Sequence, residues 1–316
     1  MIKKIIKYEG ASYLLCSKQH IVNYLNHLGY PIELLFYNTL ENTRDIYDII
    51  IKQKKNRFRY PTNCLQREDF SLIGVNHNCI SFESFKKVEN VICELVQSGK
   101  FVLLWGDEFF LPYRESYLKM HTPHSFLLCE YNSKTESYLV HDLPDFYKYI
   151  NSHTIRQACD HVDVNLKYLI YFDNGETNKP NINLIMEHYQ LFIQKYQDDY
   201  YLFDNISDIL NNKCDQNFSD NDEIFDLLDN AFSILNGSRL LFSKFLNSIQ
   251  YEQDIVKKVL DSSALAGLIK NILQKNRLTG TMSVKSIQEK CTLLKEIEME
   301  VIYNLKKKIT AVASSK

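Results

Sequence analysis

Cys16, His124 and Asp142 are the residues of this 316-residue chain whose types and neighbourhoods best suit nucleophilic chemistry. A cysteine attacks as its thiolate, and it needs a base to take its proton and a group to orient that base. Ile21, Tyr24, Leu25 and Leu28 fall on one helical face, and Gly29 with Pro31 ends the pattern. Cys16 is therefore expected in or just before the first turn of a helix. Free N–H groups and the positive end of the helix dipole there favour a thiolate and can hold an oxyanion. The structural alternative is a small buried cysteine on an amphipathic helix.

His124 opens the apolar run Ser125–Tyr131. The polar turn Asn132–Lys134 and the second run Ser137–Val140 complete a hairpin signal, which leads into His141–Asp142. An antiparallel return brings Asp142 back beside the start of the first strand, close enough to fix the tautomer and orientation of His124. Such a set takes an acyl group onto sulfur and passes it on, the imidazole moving the proton each way. His121 and His141 compete for the base position. His121 reads as a loop residue or a substrate contact, and strand alternation turns His141 to the opposite face from Asp142.

A third segment, Trp105–Tyr113 (WGDEFFLPY), follows a short apolar strand. One reading is a strand end with core aromatics. The functional reading makes Trp105, Asp107, Phe109, Tyr113 and His121 substrate-binding residues, with aromatic walls that exclude water and with Asp107 or its neighbour Glu108 anchoring a cationic amine.

The elements that must position these residues divide into two halves. Up to residue 175 helical and strand signals alternate. Val88, Val91, Ile92, Leu95 and Val96 mark a helix closed by Gly99, Phe101–Trp105 a strand, and Leu166–Phe172 another strand. Asp173–Pro180 is the linker candidate. From 176 to 316 the pattern is helical. Ile224 to Leu235 mark one helix stopped by Gly237, Asn211–Asp222 is a loop, and Val284 to Ile297 mark a further helix extended by Leu305 and Ile309. The expected fold is α+β over residues 1–175, followed by an α-helical domain over 176–316.

Bulk properties bound the function. Hydrophobic residues make up 45% and charged residues 24%, enough for a packed core. The net charge of −2 gives no basic footprint, which excludes a nucleic-acid partner. No apolar run approaches the ~20 residues of a membrane span, so the expectation is a cytoplasmic protein without a membrane partner. The eight cysteines show no C-x-x-C spacing, which argues against a zinc site.

Cys16 before IVNYLNHLGYPI, then WGDEFFLPY, HTPHSFLLCEYN and YLVHDLP occur in that order. Together they resemble the N-terminal domain of the butirosin-biosynthesis acyltransferase family, over roughly residues 8–150. The resemblance implies a papain-like cysteine-protease fold with nucleophile, base and orienting acid at Cys16, His124 and Asp142. It also implies transfer of an acyl or peptidyl group from a carrier-protein thioester to a small amine or diamine in antibiotic or other specialised-metabolite biosynthesis. The phosphopantetheine arm would belong to the carrier substrate, with no cofactor bound by the enzyme itself. A closthioamide-type amide synthase is one such identity. Two segments depart from the family pattern: LLFYNTLENT stands where a Gly-rich stretch is expected, and Cys129–Glu130–Tyr131 where Gly precedes the aromatic. The rival activities are a C39-like peptidase or a thioesterase. Such peptidases place a Gln several residues before the cysteine, and residues 1–15 contain neither Gln nor Asn. A non-catalytic scaffold and a transglutaminase-like amide former are further alternatives.

Overall fold

A computed structural model of the chain describes residues 5–143, 145–175, 179–211, 218, 221–280 and 283–314. It is a mixed α+β structure with one antiparallel sheet and a helical C-terminal region. The chain divides into two compact units, and the division is not a single cut. One unit comprises Met1–Tyr8, Cys16–Pro31 and Arg67–Pro180, and the other Glu9–Leu15, Ile32–Gln66 and Asn181–Lys316.

The first unit is built on six strands: β1 (Val75–Ser81), β2 (Val102–Asp107), β3 (Pro123–Asn132), β4 (Ser137–Asp142), β5 (Phe146–Asn151) and β6 (Tyr168–Asn174). Their order is β1-β6-β2-β3-β4-β5, with every pairing antiparallel. The helix α1 (Cys16–His27) packs on β3. Helices α2 (Phe85–Gln97) and α3 (Ser152–Asp160) contribute to the core on one sheet face. There Phe85, Val88, Ile92 and Val96 of α2 meet Val102, Leu104, Phe126, Leu128, Val140 and Leu169 of the sheet, all essentially without solvent exposure. Each such side chain contributes about 1.5–3 kcal/mol when fully buried. The N–H of Phe85 donates to Asp160 Oδ1 (2.6 Å), satisfying a free donor at the start of α2.

The hairpin expected after His124 forms, with an irregularity that matters for the site. Asn132↔Ser137, Tyr131↔Tyr138 and Glu130↔Leu139 pair in step, and the register then slips by one to Leu128↔Val140 and Leu127↔His141. Cys129 is the extra residue of this β-bulge. A one-residue slip moves every later side chain to the other face. Beyond the bulge Asp142 lies opposite Phe126, so it shares a face with Phe126 and, by alternation, with His124. Without the bulge Asp142 would lie opposite Leu127 and face away.

Several expectations are corrected. Strands β1 and β5 were not expected from the sequence pattern, and the Leu166–Phe172 strand begins at Tyr168. Leu28 is exposed rather than on the buried stripe, whereas the polar Gln19, His20 and Asn23 of α1 are buried. Gly237 does not stop a helix: Asn221–Ser248 runs straight through it. A Cβ there would come within 2.5 Å of the Tyr13 ring and 3.0 Å of the Gly10 carbonyl oxygen. That glycine serves close approach rather than termination. Parts of the expected linker (176–178) and loop (212–217, 219–220) lie outside the described residues.

In the second unit the longer helices are α4 (Ile182–Lys195), α5 (Asn221–Ser248), α6 (Gln253–Thr279) and α7 (Val284–Ser314). Arg239, fully buried on α5, makes two 2.8 Å bonds to the carboxylate of Glu298 on α7. The C-terminal helix expected from Val284 to Ile309 is present, with Ile287, Cys291, Leu294, Val301 and Leu305 buried. Among the described residues no helix is long and apolar enough to cross a membrane.

Candidate active site

Cys16 is the first residue of α1, where the helix leaves its opening N–H groups without intrahelical partners. His124 enters at the start of β3 and Asp142 ends β4. Gly106 of β2 pairs directly with His124, and a Cβ at Gly106 would lie 2.8 Å from the Phe126 ring and 3.0 Å from Ala158. Only glycine fits between the imidazole's strand and α3.

The structure brings the three together. His124 Nε2 lies 2.7 Å from Asp142 Oδ1 in a buried pair, and the N–H of Leu143 donates to the same oxygen (2.6 Å). The Cys16 thiol is the imidazole's other hydrogen-bonding partner. With Nε2 taken by Asp142, the thiol is left the Nδ1 edge.

The electrostatics favour an ion pair. Burial opposes ionisation of Cys16, but the hydrogen bond and charge of His124, with smaller contributions from Ser125, hold its thiol below the ordinary value. Burial likewise disfavours an imidazolium at His124. The hydrogen bonds the imidazolium donates to Asp142 and Cys16, and then their charges, overcome it and raise the imidazole to about 9. Burial would raise Asp142 as well, yet bonds to His124 and His20 hold it well below the usual carboxylate range. Elsewhere the contrast is plain: burial pushes the thiols of Cys79, Cys93, Cys129, Cys159 and Cys291 up.

Four neighbours that the sequence did not mark as partners of this set surround it. His20, fully buried, lies 2.9 Å from the Ser125 carbonyl oxygen and 3.5 Å from Asp142 Oδ1 through Nε2. Its spacing of four from Cys16, one helical turn, was the available signal. Ser125 itself is buried beside the thiol. Glu108 Oε1 is 3.6 Å from His124 Nδ1 and is held by Arg114 through Nε (2.8 Å) and Nη2 (2.6 Å). Arg114 Nη1 donates to the Leu143 carbonyl (3.1 Å) and stands 3.7 Å from Asp142 Oδ2, so one guanidinium spans both carboxylates.

The other expected residues fall into separate places. Tyr113 stacks on Phe146 (3.8 Å between centroids), and burial followed by the charge of Asp142 holds its phenol well above the ordinary value. Trp105 packs on Tyr168 (4.3 Å), a residue that feels the charge of Cys16. Asp107 organises its own loop. Its Oδ1 accepts from the N–H groups of Phe109 (3.0 Å) and Thr122 (3.2 Å), and its Oδ2 lies 2.6 Å from His121 Nδ1. Phe109 stacks on that His121 ring at 4.4 Å. His141 is buried with its ring 6.0 Å from that of His20.

Among the described residues, His20, His124 and Asp142 form one group whose ligand atoms lie within 4.8 Å of one another, close enough to share a metal ion. Both nitrogens that face Asp142 are engaged as donors, His20 Nε2 to a carbonyl and His124 Nε2 to the ionised carboxylate. Those lone pairs are therefore not presented to a cation.

The family model described as butirosin biosynthesis protein H, N-terminal, matches residues 56–143, a span containing His124 and Asp142. A protein of Niallia circulans is 26% identical over 293 residues, covering 92% of this chain and 95% of that protein. Its name is ribostamycin:4-(γ-L-glutamylamino)-(S)-2-hydroxybutanoyl-[BtrI acyl-carrier protein] 4-(γ-L-glutamylamino)-(S)-2-hydroxybutanoate transferase.

Proposed function

We propose that this chain is a member of the butirosin biosynthesis protein H family, a reading both matches support, and that it transfers an acyl group from an acyl carrier protein to an amine, using Cys16 as nucleophile, His124 as base and Asp142 as orienting acid. The single observation that carries the residue assignment is the buried 2.7 Å His124–Asp142 pair with its imidazole turned to the helix-borne Cys16. A helical cysteine facing a histidine and a carboxylate on an antiparallel sheet is the papain-like arrangement, and we assign that fold to the first unit.

The thiolate of Cys16 attacks the carbonyl carbon of the carrier thioester. The oxyanion is held by free N–H groups at the start of α1. The carbon–sulfur bond to the phosphopantetheine arm breaks, and the departing thiolate takes the proton of the His124 imidazolium. An acyl-enzyme on Cys16 remains. The amine then attacks that carbon and gives its proton to His124, and Cys16 leaves as thiolate. The products are an amide and the free carrier thiol, with no cofactor required by the balance.

An amide former must keep water from the acyl-enzyme, and the aromatic residues Trp105, Phe109 and Tyr113 are assigned to that shielding. Asp107 and His121 are assigned to holding the loop that presents Phe109. Glu108, beside His124, is the nearer anchor for a cationic acceptor. Intact-mass analysis after incubation with an acylated carrier or a thioester surrogate tests the assignment. An acyl adduct is expected on Cys16, absent from Cys16→Ala, and it should clear as amide when a primary amine or diamine is supplied. Adduct formation at another residue overturns the nucleophile. Free acid as the sole product across a broad amine panel shifts the activity to a thioesterase or peptidase.

A further inference from the structure

We infer that His20 is a positioning residue, which locks the helix carrying Cys16 to the strand carrying His124 and to the Asp142 carboxylate. The inference rests on the triad assignment above.

Three observations converge on it. His20 lies one helical turn after Cys16 on α1, and its side chain is completely buried. Its Nε2 faces the carbonyl oxygen of Ser125 at 2.9 Å. A carbonyl only accepts, so Nε2 carries the proton and the tautomer is set by this bond. That N–H also points towards Asp142 Oδ1 at 3.5 Å, the oxygen to which His124 Nε2 donates at 2.7 Å. One imidazole thus touches the two chain segments that His124 depends on. Ser125 is the residue after His124, and its other main-chain group, the N–H, bonds towards Cys16.

His20 Nδ1 is buried with no hydrogen-bond partner among the described residues. An orphaned buried acceptor carries an unrecovered desolvation cost, and a phenylalanine or leucine at this position would avoid it. A histidine held at that expense is explained by what its Nε2 does. The rings of His20 and His124 stand 6.4 Å apart at 70°, so the two are not stacked and neither substitutes for the other. The charged and titratable groups around Asp142 are His124, His20, Arg114 and Tyr113, and those around Cys16 are His124 and Tyr168. His141 stands 6.0 Å from His20 on its remaining side.

The test uses full-length protein with His20→Gln, His20→Asn and His20→Phe. A glutamine places its amide nitrogen near the site of Nε2, whereas an asparagine reaches only the site of Nδ1. The readout is the pH dependence of Cys16 alkylation by iodoacetamide, followed by intact mass, alongside thermal unfolding. We expect the Phe and Asn variants to move the acid limb of alkylation upward by about one pH unit, roughly tenfold less reactive thiolate near neutrality. The Gln variant should recover most of that loss. Acyl transfer should fall in kcat with KM nearly unchanged. Phe and Gln variants with the wild-type limb, or Gln and Asn equally impaired, overturn the positioning role even if all three lower the Tm. The triad reading fails separately, if wild-type Cys16 itself alkylates with the profile of an ordinary thiol.

Discussion

Asp142→Asn isolates the charge of the carboxylate from its shape. The amide oxygen can still accept from His124 Nε2 and from the N–H of Leu143, so the 2.7 Å geometry has a route to persist. What disappears is the negative charge facing the imidazole. In the wild type His124 is raised from 6.5 to about 9 against the opposing effect of burial. That rise corresponds to about 3 kcal/mol favouring the imidazolium. The causes that raise it are, in order, the hydrogen bond with Asp142, the hydrogen bond with Cys16, the charge of Asp142 and the charge of Cys16, and the variant removes the third of these. Losing that charge should bring His124 down by about one pH unit. The pair is coupled, so a weaker imidazolium is a weaker partner for the thiolate. The thiolate of Cys16 exists above its own depressed value, and in the variant this limb moves up towards that of a free cysteine. Near neutrality the thiolate fraction should drop by about tenfold or more. The assay is the alkylation rate of Cys16 between acid and alkaline pH, with circular dichroism confirming the fold. An Asp142→Asn protein that keeps the wild-type acid limb refutes the electrostatic reasoning. Linkage gives a second readout. Asp142 is depressed in the folded state, so its contribution is present above the unfolded value near about 3.9 and lost as pH falls through the folded one. The variant should lack that part of the acid-unfolding transition.

Other perturbations separate packing from chemistry. Gly237→Ala should destabilise by about 1–3 kcal/mol in a urea titration, although helix propensity alone gives a gain of about 1 kcal/mol, because the new methyl meets the Tyr13 ring. Cys291→Ser should cost about 1–3 kcal/mol by burying an added hydroxyl and leave the rate of acyl-enzyme formation untouched. Asp107→Asn removes the charged partner of His121 and weakens the turn at Phe109, so product analysis should show amide yield falling more than acyl-enzyme formation.

Local chemistry was legible in the sequence because it depends on neighbours along the chain. The helix pattern after Cys16, closed by Gly29 at φ +81°, placed Cys16 at a helix start, and the turn at Asn132–Lys134 located the hairpin. The helical region from Val284 onward followed from its apolar spacing. Strands β1 and β5 left little trace, since their burial does not alternate cleanly and sheet pairing, not composition, makes them strands. Gly237 looked like a stop because its role depends on Tyr13, more than two hundred residues away in sequence. His20 looked like one polar residue on an amphipathic helix, and only the arrival of Ser125 and Asp142 gives its Nε2 partners. The face of Asp142 was decided last. Plain alternation back from the turn puts it opposite Leu127, away from His124. The bulge at Cys129 adds one residue to β3 and turns the carboxylate to the imidazole. Residue types and spacing therefore determined which groups were available. A one-residue slip in a ladder, set by the packing of both strands, determined that they meet.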